Sequence, residues 1–222
     1  MDCIFRIFAL PLAVVALVSA MASPLMGQKG GAARPELKSF TSSDAVFQVR
    51  YPQYLVRCEH LDAENPDVWE PESGCAASIP VCDSSGHSGN VLACLAYPIK
   101  EFQGSELQAA AFSASRLENF GTASECMQRW ASRDTVDAHA EEIHGLNFQV
   151  AKVVETEASH VGDHRIYRTF HGGVCYELDV NITIALDSAF AAEDAPRKLT
   201  AAEREKIKAG LARALEGFRF LK

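Results

Sequence analysis

The sequence predicts an α+β domain, a mainly antiparallel sheet packed against helices. Three observations predict it: short segments alternate with period two, the breaks between them are of hairpin length, and the chain closes on an amphipathic helix. In the finer expectation the sheet lies between helix layers as an α/β/α sandwich, with a disulfide-rich loop insertion at about 58–94.

Two segments precede the domain. Residues 1–22 read as a secretory signal, with Arg6 near the start, an apolar run from Ile7 to Val18, and Ala20 and Ala22 framing a cleavage site. The run is about 12 residues against the roughly 20 that cross a bilayer, so no membrane span is expected in the mature chain. Residues 23–39, "SPLMGQKGGAARPELKS", have no period and read as a flexible leader. Their glycines follow no strand, which rejects a phosphate-cradling loop. A single α+β domain is expected over 40–222.

Its elements follow in order. "AVFQVRYP" places Phe47, Val49 and Tyr51 on one face and stops at Pro52, a first strand. Residues 59–90 are loop-rich, with Pro66, Pro71, Pro80 and "DSSGHSGN". "VLACLAYPI" reads as a strand and "LQAAAFSASRL" as a strand with a helix as the alternative. "TASECMQRWAS" has Thr122 or Ser124 as a cap and Glu125 in its first turn, a short helix. "DAHAEEIH" is polar on most sides and reads as an exposed helix. "LNFQVAKVVETEA" alternates, and "HRIYRTFHGGVCYELDVNITIAL" gives strand, His-Gly-Gly break and strand. In the last element Thr200 and Glu203 form a capping box, and Ile207, Leu211, Leu215 and Phe218 make one stripe.

The opening "VFQVRYP", the hairpin ending in "VCYELDVNI" and the closing "LEGFRF" together resemble the PsbP-like superfamily, named after an extrinsic subunit of the oxygen-evolving photosystem and including an exported bacterial branch. The resemblance covers about residues 40–222. It implies an antiparallel sheet sandwiched between helices and an accessory or binding role. The cysteine-rich insertion departs from that pattern, and no catalytic residue or partner carries over.

The formal charge of −8 argues against nucleic acid, which recruits clustered Lys and Arg. Of seven cysteines, Cys3 lies in the signal, leaving Cys58, Cys75, Cys82, Cys94, Cys126 and Cys175, an even set that fits disulfides in an exported chain, periplasmic or extracellular. In "VCYELDVNITI", Val174, Tyr176, Leu178, Val180, Ile182 and Ile184 share an apolar face, and Cys175, Glu177, Asp179, Asn181 and Thr183 share the polar one. A thiol on the polar side is either bridged or exposed and reactive. Cys126, on the short helix, is the leading partner for Cys175.

The competing chemistry is thin. His171 as base for a Cys175 nucleophile stands about 13 Å away along a straight strand, although a fold-back at Gly-Gly would change that. His160, Asp163, His164 and His171 are metal-ligand types without diagnostic spacing, as are His139 and His144 around Glu141 and Glu142. "GHSG" lacks the second glycine of a serine elbow. Asn181-Ile182-Thr183 is an acceptor triplet within a strand. Trp69, Trp130, Phe40 and Tyr97 are candidates for a ligand cleft, with core packing the simpler role. No cofactor is expected. The reading is a non-enzymatic exported domain that binds an unknown protein or small molecule. A metal-binding protein using the His160–His171 region and a thiol-dependent enzyme at Cys175 are the alternatives.

Overall fold

The structure, a computed structural model, describes residues 36–58, 75, 82, 89–128, 135–191 and 193–221. The signal 1–22, the leader to residue 35, most of the loop insertion, Trp69 and Trp130 lie outside the described residues.

Alternation in "FQVRYP" makes β2 (Phe47–Pro52), which buries Phe47 and Val49. It is the middle strand of a three-stranded antiparallel sheet, between β1 (Leu37–Thr41) and β10 (Phe218–Phe220). The expected leader therefore yields residues 37–39 to a strand, with Leu37 opposite Pro52 and Ser39 opposite Arg50. β1 is an edge strand whose side chains are mostly exposed, so its backbone pairing left no apolar alternation to read.

The second sheet has seven strands: β3 (Val56–Arg57), β4 (Gly89–Ala96), β5 (Leu107–Leu117), β6 (Thr135–Ile143), β7 (Leu146–Thr156), β8 (His160–His171) and β9 (Val174–Ala185), in the order β3-β4-β5-β9-β8-β7-β6. Every pairing is antiparallel. Between β8 and β9 the chain reverses on Gly172 and Gly173 at φ of 58° and 83°, a two-residue turn that glycine enters without strain. That turn sets the register, with His171 opposite Val174 and Arg168 opposite Glu177.

"DAHAEEIH" is a strand, not the expected helix. It lies in β6, at the edge of the sheet, where a bulge between Val136 and His139 with Asp137 at φ 55° breaks the alternation. Solvent around an edge strand gave it the polar composition of an exposed helix.

Among the described residues two α-helices accompany the sheets. α1 (Ala123–Gln128) opens on a reciprocal cap: Glu125 N–H donates to Thr122 Oγ1 at 3.2 Å, and Thr122 N–H donates to Glu125 Oε2 at 3.0 Å. α2 (Ala201–Glu216) opens on the Thr200–Glu203 capping box and buries Ile207, Gly210, Leu211, Ala214 and Leu215. These pack with Phe47, Val49, Phe112, Leu178 and Phe218 into the main core. Phe218, expected on the helix stripe, belongs to β10. The helix ends at Gly217, where a Cβ would overlap the Arg50 carbonyl and where Arg50 N–H donates to the Gly217 carbonyl at 3.0 Å. Close backbone approach at that glycine turns the chain into the small sheet. Gly210 plays a comparable part: a Cβ there would overlap Tyr97 Oη, which donates to the Lys206 carbonyl at 2.7 Å.

α1 and α2 sit on opposite faces of the seven-stranded sheet, since Cys126 of α1 is bonded to Cys175 while α2 packs against Phe112 and Leu178 on the other side. Six residues make a thin layer, so the architecture is more sheet-rich than the expected helix-packed sandwich. Cys58–Cys75 and Cys82–Cys94, with Cα atoms 5.9 and 5.8 Å apart, anchor the loop insertion.

Candidate functional site

The polar side of β9 is the more deeply buried one. Cys175, Glu177, Asp179, Asn181 and Thr183 are all buried, while Val180, Ile182 and Ile184 on the apolar side are only half-buried. On neighbouring strands the same face carries Ser115 opposite Glu177, Ser113 opposite Asp179, and Arg168 opposite Glu177. One end is closed by a cluster of Cys58, Cys75, Cys82, Cys94, Ala96, Ala109 and Ala111. Leu117, Phe120, Cys126 and Cys175 close the other. Disulfides thus brace both ends of a polar strip.

Buried ions persist only when paired and hydrogen-bonded. Arg168 and Glu177 are each 1% exposed, and both Nε and Nη2 of Arg168 lie 2.7 Å from Glu177 Oε2. The Phe120 ring caps the guanidinium, 5.7 Å from its central carbon. The second pair is diagonal across the same hairpin: His164 Nδ1 lies 2.8 Å from Asp179 Oδ2, and its Nε2 lies 3.8 Å from Glu155. Burial lowers the imidazole pKa, but the Asp179 charge, the hydrogen bond to it, and then Glu155 and Asp163 outweigh burial and raise it to about 9. His164 is therefore an imidazolium at neutral pH. It has no lone pair to offer as a base or metal ligand.

The histidine set proposed from sequence does not converge. His160 lies beside Glu157, 3.4 Å away, while Asp163 pairs with Lys152 at 3.3 Å on the opposite face from His164. The His171 ring stacks on Phe220 with centroids 3.9 Å apart. His139 Nδ1 lies 2.7 Å from the Asp137 carbonyl, and His144 Nε2 meets the Glu216 carbonyl. Among the described residues no group of three or more His, Cys, Asp or Glu is placed to hold a metal ion.

Cys126 and Cys175 are bonded, with Cα atoms 5.5 Å apart and both residues fully buried. The Gly-Gly turn puts His171 opposite Val174 and Phe170 opposite Cys175, so His171 faces away from the sulfur. The same-facing geometry of a straight strand does not survive the hairpin. Asn181 is buried in mid-strand and Tyr97 in the core, which removes the acceptor triplet from the surface and Tyr97 from an aromatic cleft.

Arg168, Glu177, Asp179 and Ser113 are the site residues that single-residue reading missed. A signal was present: a two-residue turn at Gly172-Gly173 pairs positions summing to 345, which sets Arg168 across from Glu177. Above Phe120, a cleft of about 440 Å³ opens between the end of β5 and the β8–β9 turn, lined by Asn90, Arg116, Glu118, Asn119, Phe120 and Gly173 among others. Asn119 adopts φ 63° there, a conformation Asn accepts more readily than most residues.

No protein-family profile and no curated protein matches the sequence. Among solved structures the chain is similar to the solution structure of cyanobacterial PsbP (CyanoP) from Synechocystis sp. PCC 6803, with a TM-score of 0.41, 12% identity, and coverage of 88% of this chain and 98% of that one. This is a weak PsbP-like resemblance, from which no ligand, partner or activity follows.

Proposed function

We propose that the protein is an exported, non-enzymatic binding or accessory domain that engages its ligand or partner at the cleft between β5 and the β8–β9 turn. The observation that carries the reading is the pairing of the cleft with a rigid floor. Beneath its polar rim lies the Leu117, Phe120, Cys126 and Cys175 cluster, tied by a disulfide, which holds the rim groups in place before anything binds. Three disulfides fit an oxidising compartment. Among the described residues no helix is long and apolar enough to cross a membrane. The bonded, buried Cys175 weighs against a thiol mechanism, because a nucleophile requires an accessible thiolate.

Mixtures of small carboxylates and sugars, read by saturation-transfer NMR against the oxidised protein, test the reading. A saturable ligand whose affinity drops in Arg116→Ala supports it. Binding indifferent to Arg116→Ala and to Asn119→Ala removes the cleft from the account. Chemical turnover of the ligand, or alkylation of Cys175 in the unreduced protein, overturns the non-enzymatic role.

A further inference from the structure

One buried carboxylate oxygen meets neither a hydrogen-bond donor nor a cation among the described residues. Asp179 is 2% exposed; its Oδ2 is held by His164, and its Oδ1 is enclosed with no donor among those residues. A native fold rarely leaves an acceptor in that state, because the desolvation of a charged oxygen is then uncompensated. Glu106, whose Oε2 likewise makes no hydrogen bond among the described residues, is compensated by charge: it accepts from Leu199 N–H and pairs with Arg204 and Lys198 at the start of α2.

We propose that the polar face of β5, β9 and β8 is a site for a small organic cation bearing a primary ammonium group, bound through Asp179 Oδ1. Two features choose that class. The first is the surrounding charge. Among the described residues Arg168 pairs with Glu177 and His164 with Asp179, and the negative charge of Glu155 stands at the His164 edge, with Asp163 near by on the other face. An interior that keeps a buried imidazole protonated stabilises positive charge.

The second is the supply of oxygens: Ser113 stands directly opposite Asp179, and Asn181 and Thr183 follow on the same face of β9. An ammonium has three donors to distribute among such groups, where a guanidinium demands a planar fork. The strip reaches solvent at the His164 edge, where Glu155 is 51% exposed and His164 15%. A cation would meet Glu155 first and Asp179 last.

The site is separate from the cleft, and each survives the failure of the other. Thermal melts of the oxidised full chain in methylammonium chloride, with potassium chloride at matched concentration as control, read the ammonium directly. Methylammonium should raise Tm saturably and potassium should not. Asp179→Asn should weaken the methylammonium effect about tenfold or more, the loss of a charged hydrogen bond. Arg116→Ala should leave it unchanged.

Equal effects of the two salts, or an undiminished effect in Asp179→Asn, would overturn the assignment. So would a high-resolution structure in methylammonium with only water on Oδ1. Should Asp179→Asn fail to fold, amide NMR of the wild type decides. Saturable shifts at Ser113, Asp179 and Asn181 sustain the site, and shifts confined to Glu155 and Glu157 refute it.

Discussion

The two faces of the seven-stranded sheet are closed by different physics. Over one, α2 and the small sheet lay Ile207, Leu211 and Phe218 onto Phe112 and Leu178, and stability grows with apolar area removed from water. Over the other, Glu177, Asp179 and Arg168 go under cover only as partners, between disulfides at either end. The apolar face should answer to mutation by degrees. The polar face should answer by whether a partner remains, since removing one member of a buried pair strands the other.

The largest effect is expected from removing the guanidinium that pairs with Glu177. Arg168→Met should cost about 3–5 kcal/mol in urea unfolding, and the double variant Arg168→Met/Glu177→Leu should recover much of that loss. Leu211→Ala on the opposite face costs a similar amount, about 2–5 kcal/mol, through cavity formation, and has no rescuing second change. If the double variant is as unstable as the single, charge pairing does not govern the polar face.

Next comes the disulfide that ties α1 to that face. Cys126→Ser with Cys175→Ser should lower stability by about 2–4 kcal/mol, because the bond closes a loop with a sequence separation of 49 in the unfolded chain. The loss should concentrate in hydrogen exchange at α1 and the nearby ends of β8 and β9. Unchanged protection there would mean that Leu117 and Phe120 hold α1 without the sulfur.

The sequence revealed the two faces unequally. Alternation in "VCYELDVNITI" separates its two sides residue by residue, and the capping box with its apolar stripe marks α2, because both signals come from neighbours in the chain. β6 misled because a bulge at Asp137 and an exposed edge erase period two. β1 was invisible because an edge strand is recognised by backbone pairing, which has no composition. The burial of the polar face could not be read from β9 alone. It depends on Arg168 arriving from β8 and on α1, fastened through Cys126, far away in sequence. The Gly-Gly turn carried half of that information, since it dictates the register that joins Arg168 to Glu177.

The pairs on the polar face should also give stability a pH dependence that the apolar face lacks. The His164 pKa rises on folding from the ordinary 6.5 to about 9, under the influence of Asp179, Glu155 and Asp163 against the cost of burial. A raised pKa gives stability that is complete below the unfolded value and fades as pH climbs through the folded one. The window is therefore about pH 6.5 to 9, with a loss of about 2–3 kcal/mol across it. Urea midpoints across that range should fall in the wild type and stay level in His164→Gln. A flat wild-type profile would show that Asp179 does not hold a charged imidazole.

The smallest effect separates the two helices by what holds each in place. Both begin on a reciprocal Thr–Glu cap, Thr122 with Glu125 on α1 and Thr200 with Glu203 on α2. Removing a capping hydroxyl exposes the same orphan N–H in either case, so Thr200→Ala should cost about 1 kcal/mol. α1 is six residues long, too short to persist on its own hydrogen bonds, and it is pinned at Cys126 in the folded state. Local fraying at its first turn then stays local, and Thr122→Ala should cost only about 0.5 kcal/mol, the lower end of the capping range, while the disulfide is intact. In the Cys126→Ser/Cys175→Ser background the cap becomes one of the few contacts ordering α1, and the same substitution should approach the α2 value. A double-mutant cycle in urea measures that coupling directly, and strict additivity would mean that the cap and the cross-link act on different parts of the chain.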